Sequence, residues 1–322
     1  MRRGIGLAAA SAVALLLAAP VLATEGGSGH YLLGSRDALS GIVPPEGVYA
    51  SADMVLLNAN VDALSIGGVV LANADTEVLI TKLNFTKTFH GPILGGRPMI
   101  TITQPVVTGS LSFDSVILGA QRRVKDDQTG LGDTTITFGL GWDKGANHFA
   151  FATSFFLPLG YYQPAAIDIP GRQLSALSFG KNRLGVTPVI SYTHLPKSGF
   201  ELSGAAGISF SARNQATDYQ TAPEFHFEGA ALQHFGPQFA LGAAGYAYQQ
   251  LGEDSGGGAD QLKAATGAQS LKARVFGIGP VATYSTKLGG ASLSLKAKYT
   301  HEFEARRRFS GDAFQLSAAL GF

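Results

Sequence analysis

The chain has 322 residues, 45% of them hydrophobic and 15% charged, with no cysteine and a formal net charge of +1. Without a thiol there can be no thiolate metal site, iron–sulfur cluster, cysteine nucleophile or disulfide frame. A charge so near zero gives no electrostatic footprint for a nucleic-acid partner.

Arg2 and Arg3 precede an apolar run from Ile5 to Val21, and Val21-Leu22-Ala23 has the form of a cleavage site. Residues 1–23 therefore read as an export signal peptide, cut after Ala23. Beyond it no run reaches the roughly 18 apolar residues that a spanning helix needs. The rest is still too apolar and too rich in glycine, at 42 residues, for an ordinary soluble domain. A closed β-barrel resolves the conflict. It satisfies its backbone hydrogen bonds between strands while showing apolar side chains to lipid.

The expected fold is thus all-β: a transmembrane antiparallel up-and-down barrel of about twelve strands over residues 47–322. Residues 24–46 form an N-terminal periplasmic or luminal segment. Alternation with period two predicts strands at 47–58, 76–89, 98–109, 131–142, 148–159 and 183–194. It predicts six more at 200–211, 223–235, 238–250, 271–287, 291–304 and 312–322. In the fourth, Ile136, Phe138, Leu140 and Trp142 oppose Thr135, Thr137, Gly139 and Gly141. In the eleventh, Leu293, Leu295, Tyr299 and Phe303 oppose Ser294, Lys296, Lys298, Glu302 and Glu304. Tight turns at 196–199, 236–237 and 289–290 alternate with long segments near 110–130, 160–182 and 251–270. With both termini in the periplasm, every long loop falls outside.

Trp142 and Tyr192 at the periplasmic ends, and Tyr161 and Tyr162 at an outer end, are expected to form aromatic girdles. Pro188 and Pro280 lie inside strands and should each cost a ladder hydrogen bond. Phe314, Leu316, Leu320 and the terminal Phe322 share one face of the last strand, the pattern of an assembly signal read by the barrel-insertion machinery. Lumen-lining positions are Asp53, Lys82, Asn84, Glu201, His226, Glu228, Lys296, Lys298 and Glu302. Their mixed signs argue against strong ion selectivity. Arg122, Arg123, Lys125 and Arg306 to Arg308 stand in outer loops, as partners for lipopolysaccharide phosphate or as solvated charge.

No catalytic constellation, metal site or cofactor motif emerges. His301-Glu302 begins like a zinc-protease motif, but Ala305 stands where the second histidine belongs. Gly130-Leu131-Gly132-Asp133 lacks the lysine and helix of a phosphate loop and reads as a turn entering a strand. His301, facing outward, is the one candidate for a lipid hydrolase, and that reading requires a serine beside it.

The stretch GGSGHYLLGSRDALSGIVPPEGVY, from Gly26 to Tyr49, together with GLGDTTITFGLGW and FFLPLGYY, resembles the meta-pathway phenol-degradation family, also called SphA-like. The resemblance spans nearly all of the chain after the signal peptide. It implies an outer-membrane channel of a Gram-negative bacterium for passive uptake of small hydrophobic or aromatic solutes. It also implies that Gly29, His30, Tyr31 and Gly34 lie in a luminal constriction. With only about twenty residues before the first strand, that constriction is expected to be partial. The other readings are an outer-membrane lipid hydrolase and a non-transporting structural or adhesive barrel.

Overall fold

A computed structural model of the chain describes residues 25–66, 69–117, 120–163, 166–168, 173–175 and 177–322. The signal peptide expected at residues 1–23 lies outside the described residues. The strands are β1 (Gly47–Ile66), β2 (Val69–Thr88), β3 (Arg97–Ile117), β4 (Ala120–Leu131), β5 (Thr134–Lys144) and β6 (Asn147–Leu157). Two short ones follow, β7 (Ala166–Asp168) and β8 (Gln173–Ser175). Then come β9 (Gly185–His194), β10 (Phe200–Ser211), β11 (Glu224–Phe235), β12 (Phe239–Gln250), β13 (Arg274–Leu288), β14 (Ala291–Arg306) and β15 (Ser310–Gly321). A helix, α1 (Gly257–Thr266), sits between β12 and β13.

Twelve of these strands close an antiparallel barrel, with β4 as the additional strand of the sheet. The seam is β1 against β15, in register from Tyr49↔Gly321 to Asn60↔Ser310. Both ends of the barrel chain therefore lie at one rim, as the sequence predicted. Phe138, Phe149, Ile190, Phe227, Ile278 and Phe314 are exposed on the outer surface, a continuous apolar face for lipid. Phe314, Leu316 and Phe322 are exposed along β15. The facing side of each strand points inward and is largely polar.

One loop expectation and the bounds of the first two strands are corrected. Residues 59–75 and 110–130 are mostly strand rather than loop: β1 pairs β2 as far as Ile66↔Val69, and β3 pairs β4 as far as Ile117↔Ala120. The charges around Arg122–Asp127 suggest a loop, but adjacent long hairpins supply each other's backbone partners, through pairs such as Ala72↔Asp114. The β1–β4 side of the wall is thus taller than the rest. β3 pairs β5 along its first half and β4 along its second. The change of partner falls at Pro105, which has no N–H to give, while its carbonyl accepts the Gly132 N–H at 2.9 Å.

Pro188 and Pro280 behave as expected. The β9–β10 ladder skips from Val189↔Gly207 to Val186↔Phe210, and β13–β14 from Ile278↔His301 to Val281↔Lys298. At the terminal rim, Trp142 donates to the Leu94 carbonyl at 3.1 Å and Tyr192 to Asn147 at 2.7 Å, positions suited to a girdle.

Tyr161 and Tyr162 do not join a girdle. Tyr161 packs on Phe179, and Tyr162 accepts from Asn214 at 3.3 Å, both within the outer loops. The reason lies at Asp133. Its carboxylate accepts the Gly160 N–H at 3.0 Å and the Lys181 N–H at 2.8 Å, tying both ends of the loop inward. Gly160 and Gly180 cross so closely that a Cβ on Gly160 would sit 2.8 Å from the Gly180 Cα. The Gly-Leu-Gly-Asp sequence, expected to be a turn, ends β4 at Leu131 and leads into β5 through Gly132 and Asp133, and its Asp is also a staple. Around α1, Tyr219, Tyr248, Leu271 and Val275 form a small apolar cluster that completes the cover over the outer mouth.

Candidate functional site: a lumen threaded by the N-terminal segment

Residues 25–43 run through the barrel, with Pro45 and Glu46 exposed at the terminal rim, so the segment occupies more of the lumen than the partial constriction expected from its length. A strand of eleven residues is about 36 Å long, and an extended segment of some twenty residues covers that distance with length to spare. At the outer mouth Glu25 meets Arg183, and Asn214 donates to it at 2.8 Å. At the terminal rim Arg97 donates to the Val43 carbonyl at 2.6 Å and pairs with Asp143 at 2.8 Å.

Between these points the wall's inward side chains grip the segment. The Tyr31 ring stacks on His226, with centroids 3.9 Å apart. Glu228 accepts the Arg36 N–H at 2.5 Å. Glu201 accepts the Leu39 N–H at 2.6 Å and is itself paired with His234 at 2.7 Å. Lys82 donates to Ser35 at 3.1 Å and lies 3.7 Å from Asp53, which accepts from Asn84 at 2.9 Å. Lys296 and Lys298 converge on Asp37, at 2.9 and 2.5 Å. Lys298 also donates to the Gly34 carbonyl at 2.5 Å. Glu302 accepts from Tyr246 at 2.7 Å near the outer mouth. Every predicted lumen residue therefore faces inward, and six of the nine bond or stack directly with the segment.

Three glycines permit this fit. Gly34 has φ +76°, a backbone that favours glycine, and a Cβ there would lie 2.8 Å from the Lys298 ammonium. Gly41 presses on the wall, where a Cβ would fall 2.5 Å from the Thr193 backbone nitrogen. Its own N–H donates to the Thr193 hydroxyl at 3.0 Å. Gly29 abuts the Glu224 carboxylate in the same way.

Electrostatics hold the middle of the segment. Burial opposes ionisation of Asp37, but Lys296 and Lys298 outweigh it and keep its carboxyl well below the ordinary carboxylate range. His30 behaves differently. It packs on Phe156, and both its ring nitrogens are buried without a hydrogen-bond partner. Burial, then the charges of Arg183 and Lys181, push its pKa down to about 3 from an ordinary 6.5.

A released His30 takes up a proton as pH falls through about 6.5, whereas a seated one stays neutral until about 3. Seating is therefore fully favourable above 6.5 and progressively weakened below it. Residues 28–33 should lose hydrogen-exchange protection between pH 7 and pH 5, after correction for intrinsic exchange rates. His30→Phe, which keeps the packing, should abolish that loss; a loss of equal size in the variant would rule out His30 as the cause.

Several sequence-derived positions resolve otherwise. Glu304 leaves the lumen face: its φ is +53°, and it pairs with Arg274 at 3.0 Å in the open. The ladder irregularity between Arg274 and Phe276 turns it out. Arg307 and Arg308 make contacts within the protein. Arg307 donates to the Lys272 carbonyl, and Arg308 lies 4.9 Å from the Tyr248 ring centre and 3.7 Å from Glu302. Arg123 pairs with Asp75, and Lys125 with Asp127. His301 meets Asp312 at 2.8 Å, and Asp312 also accepts from Tyr299 at 2.6 Å. Among the described residues no serine hydroxyl is hydrogen-bonded to His301, so the hydrolase reading lacks its required partner.

Sequence reasoning missed Asp37, Glu25, Arg183 and Arg97. One signal was available. Lys296 and Lys298, two apart on one face of a strand, place like charges side by side in a lumen, and such a pair calls for a counter-ion from outside the wall.

The segment leaves a cavity of about 550 Å³. It lies between Ala38, Leu39 and Ile42 of the segment and a wall of Ser51, Asp53, Ser294, Lys296 and Ser317, toward the terminal rim.

A sequence model for the family described as "Putative MetA-pathway of phenol degradation" matches residues 59–318. No curated protein sequence matches the chain. Among solved structures, the COG4313 outer membrane channel from Pseudomonas putida F1 superposes with TM-score 0.62 at 15% identity, covering 91% of this chain and 100% of its own. The β domain of the Bordetella autotransporter BrkA superposes with TM-score 0.46 at 10% identity, covering 86% and 100%. The first likeness is one of fold: a barrel of the outer-membrane kind.

Proposed function

The chain belongs to the family described as the MetA-pathway of phenol degradation, and from that premise we propose that it is an outer-membrane channel for passive uptake of small hydrophobic or aromatic compounds, closed at rest by residues 25–46. One observation carries the reading. The bore is filled by a segment of the chain itself, held mainly by hydrogen bonds and ion pairs to the wall and not by a continuous apolar core. A segment seated on polar contacts can leave when water enters to replace them.

The barrel is narrow, as expected at twelve strands, so the solutes must be small. The cavity of about 550 Å³ falls in the size range of small-molecule sites. It sets the apolar Leu39 and Ile42 against a hydroxyl-lined wall, a surface for a compact aromatic with one polar edge. The COG4313 protein, which shares the fold, is itself an outer membrane channel.

The blocked bore also suits a barrel that transports nothing, and one measurement separates the two readings. Cells carrying the gene should take up a labelled aromatic at low external concentration faster than cells lacking it, with no change for a sugar of similar mass. Equal uptake of the aromatic by both would favour the structural reading.

A further inference from the structure

We propose that the outer mouth holds a binding site for a small organic carboxylate, centred on Arg183, and that the side chain of Glu25 occupies it in the closed barrel. Arg183 lies just before β9, and its guanidinium is fully buried. Three groups converge there on the Glu25 carboxylate: Arg183 Nη1, the Asn214 side-chain amide and the Thr217 hydroxyl. Asn182 donates to Asn214 Oδ1 at 3.0 Å, which turns the Asn214 Nδ2 toward Glu25. This is a built receptor for a carboxylate, satisfied at present by a residue of the chain itself.

A second observation shows that Glu25 fills it incompletely. Arg183 Nε and Nη2 are buried, and neither has a hydrogen-bond partner among the described residues. That edge of a guanidinium matches the two oxygens of a carboxylate in a paired geometry. Leaving it empty forfeits two charge-assisted hydrogen bonds in a buried place. Glu25, held by its own backbone, reaches only the other side. A free carboxylate that replaces Glu25 has no such tether and can turn to meet the open edge as well. Lys181, two residues before Arg183 and donating to Ser28 at 2.8 Å, adds a second cation at the mouth. The Tyr162 hydroxyl accepts from Asn214 at 3.3 Å and adds a polar group beside the site.

Occupation by solute displaces Glu25, and with it the outer end of the segment. The site thereby couples an external acid to opening. This coupling rests on the reading of residues 25–46 as a gate, whereas the binding itself does not.

The test uses the purified full-length protein in detergent, with benzoate as probe and benzyl alcohol as its uncharged counterpart, followed by calorimetry. Glu25→Ala removes the internal competitor and should tighten benzoate binding by about tenfold or more, since the receptor is then no longer occupied. Thr217→Val, added to Glu25→Ala, should weaken it again by roughly fivefold. Benzyl alcohol should not gain from Glu25→Ala. No benzoate binding to Glu25→Ala, or equal affinity in the variant and the parent, overturns the site. Displacement of bound benzoate by lipopolysaccharide would reassign it to a sugar acid of the membrane and overturn the free-solute assignment. Tighter benzoate binding in Glu25→Ala, combined with a full-length segment whose removal leaves conductance unchanged, would keep the site and discard the gate.

Discussion

Deleting Gly26–Val43 should raise the conductance of single barrels in a planar bilayer on the order of tenfold or more, because the bore then holds water where it now holds protein. The wall should survive the loss. Its backbone bonds run between strands, and its seam is made by β1 and β15, neither of which the deletion touches. Lys296, Lys298, Glu201 and Glu228 lose their partners in the segment, but they gain water, so no charge is stranded in an apolar place. A shorter deletion, Gly26–Gly34, should have much less effect. It clears only the outer half of the bore and leaves Asp37 on its lysines, Leu39 on Glu201 and Gly41 against the wall. The graded series matters more than either deletion alone. If the longer deletion conducts no better than the intact chain, residues 25–46 are not what closes the barrel.

The second large effect is expected at Asp37. It is almost wholly buried between two ammonium groups. Removing one partner of a buried ion pair costs about 3–5 kcal/mol, because the remaining charge is left uncompensated. Here Asp37→Leu leaves two such charges. At about 1.4 kcal/mol per tenfold change, the unseated segment should become roughly a hundredfold or more better populated. Two readouts follow: faster hydrogen exchange at Arg36–Gly41 and frequent brief openings in single-channel records. The barrel itself should stay intact, since Asp37 lies outside the wall. Adding Lys296→Met and Lys298→Met to Asp37→Leu removes the stranded charges and should restore seating in large part. Failure of the triple variant to recover would show that the lysines act on the segment through something other than their charge.

The sign of the pH effect also separates the two halves of the segment. Asp37 is held well below the ordinary carboxylate range, so its contribution is present above that range and is lost only in strong acid. His30 is held below the ordinary imidazole range, so its contribution weakens as soon as the medium becomes mildly acid. The outer half should therefore loosen first on acidification, with the middle still latched.

Much of this molecule was legible in the chain. Period-two alternation on strands such as β5, β10 and β14 fixes which side chains face lipid and which face inward, because a strand has no other choice. The parity of short and long connections placed both termini at one rim. Asp53, Glu201, His226, Lys296 and Lys298 could all be assigned to the lumen from one strand at a time. What no single strand could show was decided by contacts far apart in sequence. The residues before β1 have neither helical nor strand periodicity, so nothing local says that they thread the bore. Asp37 finds its lysines some 260 positions away, at separations of 259 and 261, and Glu25 finds Arg183 at 158. The extended hairpins of β1–β4 were hidden for a related reason. The charged run from Arg122 to Asp127 in β4 looks like a loop until a neighbouring strand supplies the backbone partners. Local pattern determined the wall, because a wall is a repetition of one local rule. The plug, the folded-in loops and the mouth are each a single event of closure, and only the tertiary structure could decide them.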